Sequence, residues 1–156
     1  MTAGKPAGIP EPQLDDLYQE IIFDHYRSPR NKGPMPDAMV SCQQDNPFCG
    51  DEITVELKVA DGVVSDLMFD GRGCSISQAS ASMMTEELQG KPVDEALEFA
   101  AHFRGLMQGK DDDGEWDELG DLEALKGVTK FAVRVKCATL AWSTFAEAAG
   151  QASHDG

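Results

Sequence analysis

Ile53, Val55, Leu57 and Val59 alternate with Thr54, Glu56 and Lys58, and beyond Asp61-Gly62 the period continues in Val63, Ser65, Leu67 and Phe69. Two apolar runs of period two, joined by a turn dipeptide, require an antiparallel hairpin with one buried face. A two-residue Asp-Gly turn would pair Ala60 with Val63 and set the two apolar rows on opposite faces. A three-residue loop, Ala60-Asp61-Gly62, pairs Val59 with Val63 and sets both rows on one face, with Gly62 in a bulge. A buried face specifies register strongly, so the longer loop is expected.

Around this hairpin the pattern turns helical. Leu14, Leu17, Tyr18, Ile21, Ile22 and His25 recur at helical spacing, with Asp15, Asp16 and Glu20 opposite, and Ser28-Pro29 ends that helix. Met39 to Cys42 reads as a short edge strand. Ser75 or Ser77 caps a helix running through Met83, Met84 and Leu88 to Gly90. A further helix opens at Pro92-Val93, with Val93, Leu97, Ala100, Ala101 and Leu106 on one face. Leu119, Leu122 and Leu125 suggest a short helix closing at Gly127. The last helix spans about 130–149, carries Phe131, Val135, Ala138, Leu140, Ala141, Trp142 and Phe145, and ends at Gly150. The expected class is α+β: one small antiparallel sheet, a hairpin plus an edge strand, covered by helices on one face. The expected organisation is a tail over 1–12, one domain over 13–150 with an acidic insertion at 110–127, and a polar tail over 151–156.

The chain has 156 residues and a formal net charge of −15. No basic surface is available for a phosphate backbone, which argues against nucleic acid and equally against anionic membranes. No apolar run approaches a membrane span, and residues 1–12 lack the basic start and apolar stretch of a secretory signal. The expected compartment is the cytoplasm, where four cysteines read as metal-binding or catalytic sooner than as disulfides.

Three of those cysteines fall at joints between expected elements: Cys49 in Asn46-Pro47-Phe48-Cys49-Gly50-Asp51, Cys74 in Gly71-Arg72-Gly73-Cys74-Ser75, and Cys137 in Arg134-Val135-Lys136-Cys137-Ala138. With Asp51 they make a tetrahedral set of three thiolates and one carboxylate that suits zinc, and the same thiolates suit an iron–sulfur cluster. Each thiol alone has a plain alternative as a small buried hydrophobe, and no Cys-x-x-Cys pair is present. Cys42 reads as a strand cysteine and His25 as a packed, hydrogen-bonded histidine. Met83 and Met84 read as core, and Lys136 as a solvated charge. His102 and His154 carry no signal. Arg72 flanks Cys74 and could steady the site or a partner.

Four segments, Asp24 to Asn31, Asn46 to Asp51, Gly73 to Ser80 and Lys136 to Trp142, together resemble the iron–sulfur assembly family of IscU, NifU N-domains and SufU. The resemblance covers about 14–149 and implies a SufE/IscU-like fold. Within the family the chain resembles the SufU type. Lys136 stands where IscU-type proteins carry a histidine. Gly127 to Phe131 stands where they carry a Leu-Pro-Pro-Val-Lys chaperone motif, and the acidic stretch matches the SufU insertion. That resemblance implies a zinc-dependent sulfurtransferase serving a SufS-type cysteine desulfurase, with a SufBCD-type scaffold downstream. It implies Cys49, Asp51, Cys74 and Cys137 as zinc ligands and Cys49 as the sulfur acceptor, freed when a desulfurase side chain, a histidine by resemblance, replaces it on the metal. Arg134 would offset the site's negative charge or hydrogen-bond to Asp51. The alternative on the same ligands is a scaffold assembling a [2Fe-2S] or [4Fe-4S] cluster.

Overall fold

Three strands carry the architecture in a computed structural model that describes residues 16–110, 116 and 119–155. The expected tail at 1–12, and 111–115, 117 and 118 of the acidic stretch, lie outside the described residues. The sheet is antiparallel in the order β1 (Val40–Asn46), β2 (Asp51–Ala60), β3 (Val63–Arg72). The edge strand is longer than expected and pairs along its whole length, from Val40 opposite Leu57 to Asn46 opposite Asp51.

The hairpin register differs from the sequence expectation. Ala60 does pair with Val63, across a two-residue turn. Asp61 and Gly62 have φ of 54° and 77°, the pair of positive values that gives a turn twisted like the strands it joins. The conflict of faces is resolved two residues further on. Lys58 pairs with Asp66 but Val59 pairs with Val64, so Ser65 is an extra residue on β3. Its hydroxyl donates to the Lys58 carbonyl at 3.2 Å. This bulge resets the phase, so Val64, Leu67 and Phe69, with Val63 and Ser65 left half-buried, join Ile53, Val55 and Leu57 in the core. The bulge was expected in the loop; it sits inside the strand.

Helices cover that one face. α2 (Ser75–Leu88) is buried along almost its whole surface and is the central post. Its small polar residues are buried at the cost of needing partners, and mostly find them. Ser80 accepts from the Trp142 indole at 2.9 Å and donates to the Ala138 carbonyl, stitching α2 to α4 (Ala132–Asp155). α4 does not stop at Gly150 as expected but continues to Asp155, and Ala148, Ala149 and Ala152 are buried on either side of that glycine. α3 (Val93–Met107) buries Val93, Ala96, Ala100, Phe103, Leu106 and Met107, while Ala101, expected inside, faces solvent. Phe103 stacks on Trp142 with ring centroids 4.3 Å apart and meets Trp116 edge-on at 6.0 Å. Trp116 is therefore packed in the core, and a 3-10 helix (Gly120–Lys130) follows it. Among the described residues no helix is long and apolar enough to cross a membrane.

α1 (Asp16–Arg27) places His25 against α2, 1% exposed. One ring nitrogen is 2.8 Å from the Ser82 hydroxyl and the other 3.0 Å from the Asp121 carboxylate, so the imidazole joins α1, α2 and the 3-10 helix. The loop that follows is fixed to the same helix: the Arg30 amide donates to Ser82, and Thr85 donates to the Arg30 carbonyl. His25 is thus the packed, hydrogen-bonded histidine that the sequence suggests. Replacing His25 with alanine removes a buried ring and strands its partners. It should cost about 2–4 kcal/mol in urea denaturation of the metal-free chain, and an unchanged midpoint would contradict the joint.

Candidate metal centre

The strand phase that builds the core also builds the site. Asp51 is the first residue of β2 and shares the inward row of Ile53, Val55 and Leu57, so its carboxylate points under the helices and is 1% exposed. Between β1 and β2 lies the turn 47–50. Asn46 organises it: its side-chain oxygen accepts from the Phe48 amide at 3.2 Å and its carbonyl from the Cys49 amide at 3.3 Å. Gly50, at φ 70°, supplies the backbone freedom that the turn needs. Cys49 rides on this turn, half-buried.

Cys74 follows β3 and is itself the N-cap of α2, where Ser75 or Ser77 was expected. Its Sγ accepts from the Ser77 amide at 3.4 Å. Its own amide donates to Asp51 Oδ1 at 3.0 Å, which ties the β3–α2 joint to the start of β2. Cys137 comes from the second turn of α4 and is 1% exposed. Its Sγ lies 2.8 Å from that of Cys49, and Asn46 Nδ2 approaches it at 3.8 Å.

The structure brings three of the four expected residues together, with Cys74 tied to them through its backbone. Cys49, Asp51 and Cys137 have ligand atoms mutually within 4.8 Å. Cys74 is joined to them through its amide, which donates to Asp51 Oδ1, while its sulfur falls outside that 4.8 Å group. Two observations suit a cation. Asp51 Oδ2 is buried and has no hydrogen-bond partner, a cost that a metal bond would remove. Three sulfurs and a carboxylate oxygen are a donor set that zinc accepts. Zinc fits these residues.

The thiols are not equivalent. The neighbouring Cys137 thiol pulls the Cys74 pKa down to about 7, helped by the Ser77 amide and the positive Arg134, against burial and the Asp51 charge. Cys74 in turn raises the pKa of Cys137, with burial and Cys49 adding to it. Without metal, Cys74 is the first of the pair to ionise and Cys137 holds its proton. Arg134, one helical turn before Cys137, is 9% exposed and acts on the site through its charge at Cys74.

Other candidates fall elsewhere. Cys42 is buried on β1, where burial raises its pKa. Lys136 is exposed, its ammonium 4.9 Å from the centroid of the Phe48 ring. His25, Glu86 and Asp121 form a second cluster, in which the ring is already engaged on both nitrogens. Residues given no role in advance prove to shape the centre. Asn46 was readable as an Asn-Pro turn former. Gly73 was not: a Cβ there would stand 2.4 Å from Asp51 Oδ1, a closeness visible only in three dimensions.

The family model described as the NifU-like N terminal domain matches residues 17–138. The chain is 51% identical over 129 residues to a Bacillus subtilis protein named zinc-dependent sulfurtransferase SufU, covering 83% of this chain and 86% of that one. It is 41% identical over 136 residues to a Streptococcus pyogenes protein named iron–sulfur cluster assembly scaffold protein IscU, covering 87% and 84%. A crystal structure from Fervidobacterium islandicum, described as a candidate iron–sulfur cluster assembly scaffold for the SUF system, superimposes with a TM-score of 0.77 at 34% identity, covering 83% of this chain and 94% of that one.

Proposed function

Since this chain belongs to the NifU-like N-terminal domain family, we propose that it is a zinc-dependent sulfurtransferase that takes persulfide sulfur from a SufS-type cysteine desulfurase for iron–sulfur cluster assembly. The observation that carries this reading is the placement of Cys49. Cys137 is buried in α4 and Cys74 is fixed as a helix cap, whereas Cys49 sits half-buried on a turn at the surface. Similarity to a protein named as a zinc-dependent sulfurtransferase supports it.

Cys49, Asp51, Cys74 and Cys137 would hold the zinc. Zinc supplies deprotonation of the thiols without redox chemistry of its own. The chain's residues do the rest. Asp51 Oδ1 and the Cys74 amide hold the two loops together, and Arg134 balances the negative charge. The Cys49 thiolate attacks the outer sulfur of the donor persulfide. An S–S bond forms at Cys49, the donor's S–S bond breaks, and its electron pair leaves on the donor cysteine as a thiolate. No oxidant or reductant is consumed. Cys49 then carries the sulfur to an acceptor, for which a SufBCD-type scaffold is the candidate, in the cytoplasm.

A second reading, a scaffold on which a [2Fe-2S] or [4Fe-4S] cluster is built, is favoured by the 41% identity to a protein named as such. Lys136, in place of the histidine of the scaffold type, favours transfer. Mass spectrometry after incubation with desulfurase and cysteine separates the two. Transfer adds sulfur at Cys49, and anaerobic iron with sulfide leaves no stable colour. Stable colour with no sulfur on Cys49 would make the protein a scaffold.

A further inference from the structure

Phe48 is 71% exposed, more than any other large hydrophobic residue among those described, and it immediately precedes Cys49. Val133, one helical turn before Cys137, is 43% exposed. With Ala132 and Lys136 they line a shallow groove of about 160 Å³. The other exposed large hydrophobics, Phe23, Tyr26 and Met39, lie on α1 and before β1, away in sequence from Cys49, Asp51, Cys74 and Cys137. Both exposed large hydrophobics of the groove therefore flank site thiols. An exposed aromatic ring beside a reactive group is the signature of a surface that another molecule covers.

Resting on the sulfur-acceptor reading, we propose that this groove is the docking surface for the sulfur-donor protein and that Phe48 is its anchor. The occupant follows from distance. A sulfur that bonds to Cys49 must approach to about 2 Å, and the Cα atoms of Phe48 and Cys49 are about 3.8 Å apart. A protein that delivers sulfur on one of its own cysteines brings its surface within a residue's length of Phe48, whereas a small sulfur donor need not.

Charge narrows the partner's surface. The chain carries −15 overall, yet the four residues lining the groove include one cation and no carboxylate. Lys136 holds its ammonium over the Phe48 ring, 4.9 Å from the centroid. The partner therefore meets Phe48 with an apolar contact, offers an acceptor to Lys136, and is basic around that centre, where it faces the acidic body.

The test compares two sulfur donors on the zinc-loaded chain. With the cognate desulfurase, Phe48→Ala should raise the half-saturating concentration of the chain in alanine release about tenfold and Val133→Ser by less, while Phe48→Leu restores most of it. Sulfur loading of Cys49 from inorganic polysulfide, and zinc content, should match the wild type. An unchanged half-saturating concentration in Phe48→Ala would overturn the docking surface and leave the sulfur-acceptor reading standing. Equal impairment with polysulfide would also overturn it, because Phe48 would then act by shaping the turn. If the wild-type chain itself fails to raise alanine release, the sulfur-acceptor reading falls and the docking surface falls with it.

Discussion

Replacing Gly73 with alanine should weaken zinc binding about 10–100-fold while leaving the metal-free chain folded. The added methyl carbon would stand 2.4 Å from Asp51 Oδ1 and 3.0 Å from the Ser77 hydroxyl oxygen. The carboxylate can move aside, but only by giving up the Cys74 amide, which it accepts at 3.0 Å. That bond joins the loop carrying Cys74 to the strand carrying Asp51. Losing it displaces two of the four proposed donors at once. Competition with a chromophoric chelator would read the affinity, and a urea titration of the metal-free protein would read the fold. Wild-type affinity would mean that Asp51 does not hold the metal.

Two residues earlier the same substitution should strike the fold instead. An alanine Cβ at Gly71 would lie 2.0 Å from the Glu52 carbonyl oxygen and 3.2 Å from the Ile53 Cα, all backbone. Gly71 pairs with Ile53 in the ladder at a φ of 126°, a conformation that L side chains rarely adopt. Neither atom can swing away, so the β2–β3 ladder must open. The expected loss is about 3–6 kcal/mol in urea denaturation, the sum of backbone strain and overpacking. A loss as small as that at an ordinary surface site, within about 0.5 kcal/mol, would contradict the close approach. The pair separates the two roles of one glycine-rich loop: Gly71 lets the strands meet and Gly73 lets the donors meet.

Much of this was legible in the chain. Alternation along β2 and the thiols at element joints pointed to the sheet and to Cys49, Asp51 and Cys137, which the fold gathers. The failures share a cause, which is that tertiary context overrode local pattern. A bulge at Ser65 reset the phase of β3, and no residue there announces a bulge. Cys74 is a weak cap by type, and it caps α2 because the joint places its sulfur at the helix end. Gly150 looked like a stop, but burial of Ala149 and Ala152 carries α4 through it. Trp116 lies in an acidic stretch that reads as solvated, yet its ring reaches Phe103. The apolar groove beside Cys49 was not legible, since Phe48 and Val133 are 85 positions apart in sequence and meet only once the turn packs on α4.

The measurement that bears most directly on the account is alanine release by the cognate cysteine desulfurase, with reductant, in the presence of the zinc-loaded chain. The account predicts a large rise with the wild type and none above the desulfurase alone with Cys49→Ala. An equal rise with Cys49→Ala would contradict Cys49 as the sulfur acceptor, and no rise with the wild type would contradict sulfur transfer itself.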